Sequence, residues 1–230
     1  MARARPHGRR PTVTALVGGV GGALGGLADV AGRRTGRRPL HPRGIVLPAS
    51  LRIGDDPDAP GAVEAFSGPA VVRLSRAAGL PRPWPDVHGL AVRWERGGRA
   101  ESLLLSGTGT GSLSRFLLAP RRRVVDGPFT TLMPFRTPDG PVVLAAKPTA
   151  RPDGGLDVLL LSSRLRGPWY RWGVLHVDAP SAAASDDVVR FDPVLDCPSG
   201  LATYRWAAAL RRPAYRHARR AAPDPGSLPW

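Results

Sequence analysis

The chain has 230 residues, 42% of them hydrophobic, with 28 Gly and 26 Pro. That composition excludes wholesale disorder, and the prolines follow no period, which excludes collagen and argues against a bundle of long helices. Lys and Arg total 33 against 18 Asp and Glu, a formal net charge of +15, so nucleic acid, anionic lipid and acidic ligands all come into view as partners.

Most of that charge has a plainer origin. Lys147 is the only lysine, Asn and Gln are absent, and Ile45 and Ile53 are the only isoleucines. Residues with AT-rich codons are nearly missing, so part of the arginine excess follows from GC-rich coding. The charge is therefore read mainly as solvated arginine. Six Trp, three Tyr and five Phe form no array interleaved with basic residues, so nucleic-acid binding is not expected. Cys197 stands alone. It excludes an internal disulfide and a multi-cysteine zinc site, and it suits a reducing, cytoplasmic setting.

Residues 1–38 read as a basic, Gly/Ala-rich unit. Arg3, Arg5, Arg9 and Arg10 open it, and an uncharged run over 11–28 follows. Gly18, Gly22 and Gly26 recur every fourth residue, the spacing that lets membrane helices approach closely. The run is short for a membrane span. A loosely attached helix is expected there, with a membrane anchor as the alternative. From residue 39 to 222 a single domain is expected. Segments 44–53, 69–75, 87–95, 101–107, 142–149, 156–163 and 172–178 alternate with Gly/Pro turns and predict an antiparallel barrel or sandwich. Residues 200–222 predict a helix with Ser199 as its N-cap and a break near Pro213. Residues 223–230 are a tail.

Common catalytic signatures are missing. Gly107-Thr108-Gly109-Thr110-Gly111 lacks the lysine of a phosphate-binding loop and reads as a tight turn. His7, His41, His88, His176 and His217 show no i, i+4 pairing. No Ser sits in a Gly-x-Ser-x-Gly elbow.

Three groups of residues recur in a telling order. Arg38-Pro39-Leu40-His41-Pro42-Arg43-Gly44 leads into the first expected strand. Val71-Val72-Arg73-Leu74-Ser75 follows, and then Asp86 and Gly89 before an apolar strand. Near the end come Phe191-Asp192-Pro193, Pro198-Ser199-Gly200 and Leu210-Arg211-Arg212-Pro213-Ala214-Tyr215. This sequence resembles the haem catalase superfamily over roughly 40–110 and, more loosely, 190–220.

The resemblance implies an α+β fold: a catalase-like antiparallel β-barrel with flanking helices and a C-terminal helical segment. It implies haem b as cofactor, with Tyr215 as the ligand to iron. Arg211, four residues before it, would stabilise the phenolate, since tyrosine is otherwise neutral near pH 7. Arg38 and Arg73 would take the propionates, because guanidinium groups pair well with carboxylates. His41 would shuttle a proton on the distal side, with Ser75 as its hydrogen-bonding neighbour. Tyr204 and Cys197 are rival axial ligands. Catalases also place an Asn on the distal side, and this chain contains none. The implied activity is therefore that of a peroxidase-like oxidoreductase acting on a peroxide or a lipid hydroperoxide. The alternative is a haem-less barrel with a binding or structural role at an anionic or membrane surface, reached through residues 11–28.

Overall fold

The computed structural model describes residues 43–54, 56–81, 83–181, 189, 191–192 and 195–209. Ten strands form one sheet: β1 (Arg43–Ile53), β2 (Phe66–Arg76), β3 (His88–Arg96), β4 (Arg99–Gly107), β5 (Phe129–Thr130), β6 (Phe135–Thr137), β7 (Gly140–Ala150), β8 (Leu156–Arg164), β9 (Tyr170–Val177) and β10 (Ala202–Thr203). Every pairing is antiparallel, and the order β4-β3-β2-β1-β9-β8-β7-β5 returns to β4. The result is a closed eight-stranded barrel, with β6 and β10 added beside β7. Closure removes the free edges that an open sheet would expose.

All seven expected strands are present. They are the long ones, because a two-residue hydrophobic period is visible only over several residues. β5, β6 and β10 are two or three residues each and carry no period. Leu47, Leu51, Val72, Leu90, Val92, Leu103, Leu105, Leu144, Val158, Leu160 and Leu175 point inward and form one apolar core with Trp94, Phe129 and Trp172. The barrel is filled by side chains, as its small strand number requires. Gly97 and Gly98, both at positive φ, form the two-residue hairpin between β3 and β4.

The wall is thin where β5 is short. β5 meets β4 only at Ser106 and Gly107. Lower down, the backbone N–H of Ser102 donates to the Asp196 carbonyl at 2.6 Å, and β10 pairs with β6. The segment 195–203 thus completes this part of the wall, and Leu201 joins the core. This corrects the expected start of the C-terminal helix. Residues 202–203 are a strand, and the helix begins at residue 205. Ser199 caps nothing; its backbone N–H donates to Glu101 Oε1 at 2.8 Å, and its hydroxyl donates to the same oxygen. The expected helix beyond residue 209 lies outside the described residues, as do the N-terminal unit 1–38 and the tail 223–230. Among the described residues, no helix is long and apolar enough to cross a membrane.

Candidate functional site

Arg73 and Ser75 sit on β2, which is flanked on both sides by β1 and β3. Ala70 and Val72 face the core, so Val71, Arg73 and Ser75 face outward. Both polar residues are nonetheless buried, Arg73 at 6% exposure and Ser75 at 8%. Part of the cover is visible: Val71 packs with Val46, Val189 and Phe191 on this outer side.

The register builds a flat strip beside Arg73. Gly44 pairs with Ser75, Ser75 with Gly89, and Gly89 with Ser106. No residue in this row reaches beyond a hydroxymethyl group. The Arg73 guanidinium lies over Gly44, where an added Cβ would stand 2.7 Å from Cζ. The Ser75 hydroxyl donates to the Gly89 carbonyl at 3.5 Å, a long bond. So the structure places Arg73, Ser75, Gly44 and Gly89 together on the outer wall of β1–β3. His41, Arg38, Arg211 and Tyr215 lie outside the described residues. Of the rival ligands, Tyr204 stacks on Trp206 with ring centroids 6.2 Å apart. The Cys197 thiol donates to the Leu201 carbonyl at 3.4 Å.

Asp86 has a structural task. Its two carboxylate oxygens accept the backbone N–H groups of Ala78 and Leu80, each at 3.0 Å, and Arg76 Nε lies 3.5 Å away. Burial alone would raise its pKa. The N–H donors of Ala78, Leu80 and Val87, together with Arg76, outweigh that and hold the carboxyl below its usual value. His88, two residues on, donates Nε2–H to the Arg121 carbonyl at 3.1 Å. Burial pushes its pKa down, against the pull of that carbonyl.

The glycine-rich loop is an anchor. Thr108 donates to Thr130 Oγ1 at 3.1 Å, and Gly111 N–H donates to Ser114 Oγ at 3.0 Å. Beside it, the buried Arg115 gives Nε–H to Gly111 O at 3.0 Å. Its Nη1 reaches Ser163 Oγ at 2.8 Å and Leu165 O at 3.3 Å, and its Nη2 reaches Thr110 O at 3.2 Å and Gly167 O at 3.1 Å. Five donors meet five neutral acceptors, so no donor is left for an anion. Burial lowers the Arg115 pKa.

One exposed cluster gave no signal in the sequence. Thr149 pairs with Asp157, Asp157 with His176, and His176 with Ser50, making a row across β7, β8, β9 and β1. His176 Nδ1 is 2.8 Å from Asp157 Oδ1. That contact, with Arg151 nearby, holds the Asp157 carboxyl below its usual range. The row borders a depression of about 390 Å³ that also holds Lys147 and Leu159. It resembles a hydrolytic triad only in residue type. The strands beneath it lie inside the sheet and commit their backbone N–H groups to the ladder, so none is aimed at an oxyanion. A second depression, about 260 Å³, lies between Asp58 and the Arg164–Tyr170 turn. Among the described residues, no three His, Cys, Asp or Glu are placed to hold a metal ion.

No protein-family model matches this chain, and no curated protein matches it.

Proposed function

We propose that the protein binds haem b against the outer wall of β1–β4 and acts on a peroxide or organic hydroperoxide as a peroxidase-like, catalase-related oxidoreductase. The observation that carries this reading is the buried Arg73 beside the flat row Gly44, Ser75, Gly89, Ser106. A planar group with two carboxylate arms needs a wall without projecting side chains and a cation at its rim, and this strip supplies both. The interior does not fit such a group, because Trp94, Trp172, Phe129 and the inward leucines fill it.

In this reading Arg73 and Arg38 hold the propionates, and Ser75 supports the distal side. Tyr215, its phenolate stabilised by Arg211, is the ligand to iron. His41 takes a proton from one peroxide oxygen and returns it to the departing one. When bound, the haem iron supplies the redox chemistry. With no Asn in the chain to orient peroxide, efficient disproportionation is not expected.

Titration of the purified chain with hemin tests the reading. A Soret band that saturates at one equivalent, shifts in Tyr215→Phe and weakens about tenfold in affinity in Arg73→Met supports it. A titration without saturation, or two variants that bind like the parent, ends it.

The filled interior and the charge of +15 favour one second reading: a haem-less barrel that binds an anionic or membrane surface through residues 11–28. Vesicle flotation with and without residues 1–38, at low and high salt, separates the two.

A further inference from the structure

Two loops far apart in sequence are locked together on the surface. One is 108–118, which includes the short turn Ser114–Phe116. The other is 164–171, between β8 and β9. Arg115 bonds to backbone carbonyls on both, and Trp169 Nε1 donates to Thr110 O at 2.9 Å. The Arg115 guanidinium also lies 4.3 Å from the centre of the Trp169 ring. The pair of loops is therefore a rigid unit.

What this unit shows to solvent is unusual for a surface. Leu113 is 62% exposed, Leu117 56% and Leu165 40%, and Tyr170 is exposed beside them in sequence. Arg164, Arg166 and Arg171 are exposed as well. Neither loop contains an Asp or Glu. The nearby Asp58 shares a cleft with Arg164 and Tyr170. Large apolar side chains on fixed loop tips spare the backbone ordering that docking would otherwise require, but they cost solvation while free. Exposed leucines, a tyrosine and arginines on one rigid unit are the residue types found where a protein enters a bilayer interface.

We propose that these two loops are a membrane-docking surface, placing Leu113, Leu117 and Leu165 at the acyl boundary of an anionic phospholipid bilayer with Arg164, Arg166 and Arg171 on its phosphates. A phospholipid surface fits better than a protein partner, because the leucines ride on loop tips and the charge carried by the two loops themselves is all positive, with Asp58 the acidic neighbour at the Arg164 side. The surface requires neither haem nor residues 1–38.

Co-sedimentation of the full chain tests it, using vesicles of phosphatidylcholine alone and of phosphatidylcholine mixed with phosphatidylglycerol. Binding to the mixed vesicles that weakens with salt is expected. Leu113→Ser/Leu117→Ser/Leu165→Ser should lower it about tenfold or more. Arg164→Glu/Arg166→Glu should lower it by at least about fivefold for each arginine lost. Every substituted side chain is exposed, and unchanged thermal melts verify the fold. Parent protein that binds neither vesicle overturns the proposal. So do loop variants that bind like the parent, including the case where only deletion of residues 1–38 abolishes binding; that result would instead favour the N-terminal route.

Discussion

Gly44 is glycine because Arg73 occupies the space its side chain would need. The two are diagonal neighbours across β1 and β2, and an added Cβ would meet Arg73 Cζ, Nη2 and Nε at 2.7–2.9 Å. Gly44 has no positive φ to explain it otherwise. The obstructing atoms are the far end of a flexible chain, so Gly44→Ala displaces the guanidinium at modest cost, below about 1 kcal/mol. Hemin titration beside a thermal melt should show affinity falling about tenfold while the melting temperature hardly moves. Unchanged affinity would detach Arg73 from the proposed site.

Arg115 gives the largest stability effect expected of any single arginine here. Arg115→Met removes five hydrogen bonds and the stacking on Trp169, although Thr110 O, Gly111 O and Gly167 O keep the Trp169 Nε1, residue-115 N–H and Ser163 Oγ donors. A loss of about 2 kcal/mol follows from the lost link between the two loops, the Leu165 carbonyl left without its Arg115 donor and the lost cation–ring contact. Arg115→Lys should recover part of it, because an ammonium has three donors and no planar fork. Urea unfolding of the two variants checks the order.

Glu101 and Ser199 join β4 to the segment that completes the wall. Glu101 is fully buried, with Ser199 on one oxygen and Arg96 Nε 3.4 Å from the other. Ser199→Ala should cost about 1 kcal/mol, and Glu101→Gln more, because Arg96 then loses its buried counter-charge and keeps only the exposed Glu64 at 3.8 Å. The double variant should cost less than the sum of the singles. Strict additivity in a double-mutant cycle would show that the contact carries no coupling.

Acid should destabilise the fold in two stages. The folded His88 has a pKa below its unfolded value of 6.5, so the unfolded chain binds more protons, and stability falls as pH drops below about 6.5. Asp86 also has a depressed folded pKa. Its contribution is intact above the unfolded value of 3.8 and disappears as pH falls through the lower folded one. Arg76 and Asp126 are the other charged groups facing His88 in this corner, together with Asp86. His88→Gln keeps a donor for the Arg121 carbonyl and cannot be protonated. Its urea midpoint should be flatter than the parent's between about pH 7 and 5. An equal slope would place the early loss elsewhere.

The barrel was legible because β1, β2, β3, β4, β7, β8 and β9 are long enough for inside and outside residues to alternate. The wall segment 195–203 was not. Its role depends on partners far away in sequence: Ser102 and Glu101, nearly a hundred residues back, and β6, more than sixty back. Pro198-Ser199-Gly200 looks locally like the start of a helix, and the tertiary bond to Glu101 overrides that. Arg73 and Ser75 were readable as a pair, since an arginine inside an apolar strand asks for an explanation. The flat row beside them required the register of four strands. The loop unit around Arg115 was hidden for a different reason: its acceptors are mainly backbone carbonyls, which every residue type offers.

The seam between β1 and β9 runs over only five residue pairs, Ala49–Ile53 against Gly173–Val177. Just above it the Asp178 amide bonds to the Pro48 carbonyl, and no described strand flanks residues 43–47 on that side. Pro48 also brings no amide hydrogen of its own. The β1–β9 seam is the shortest between two long strands, and it leaves upper β1 held through β2 alone among the described strands, whereas the shorter β5 seams are backed by the segment 195–203. Amides of upper β1 should therefore take up deuterium sooner than those of central β3, and any chain or ligand that enters the wall without unfolding it has its easiest way in there.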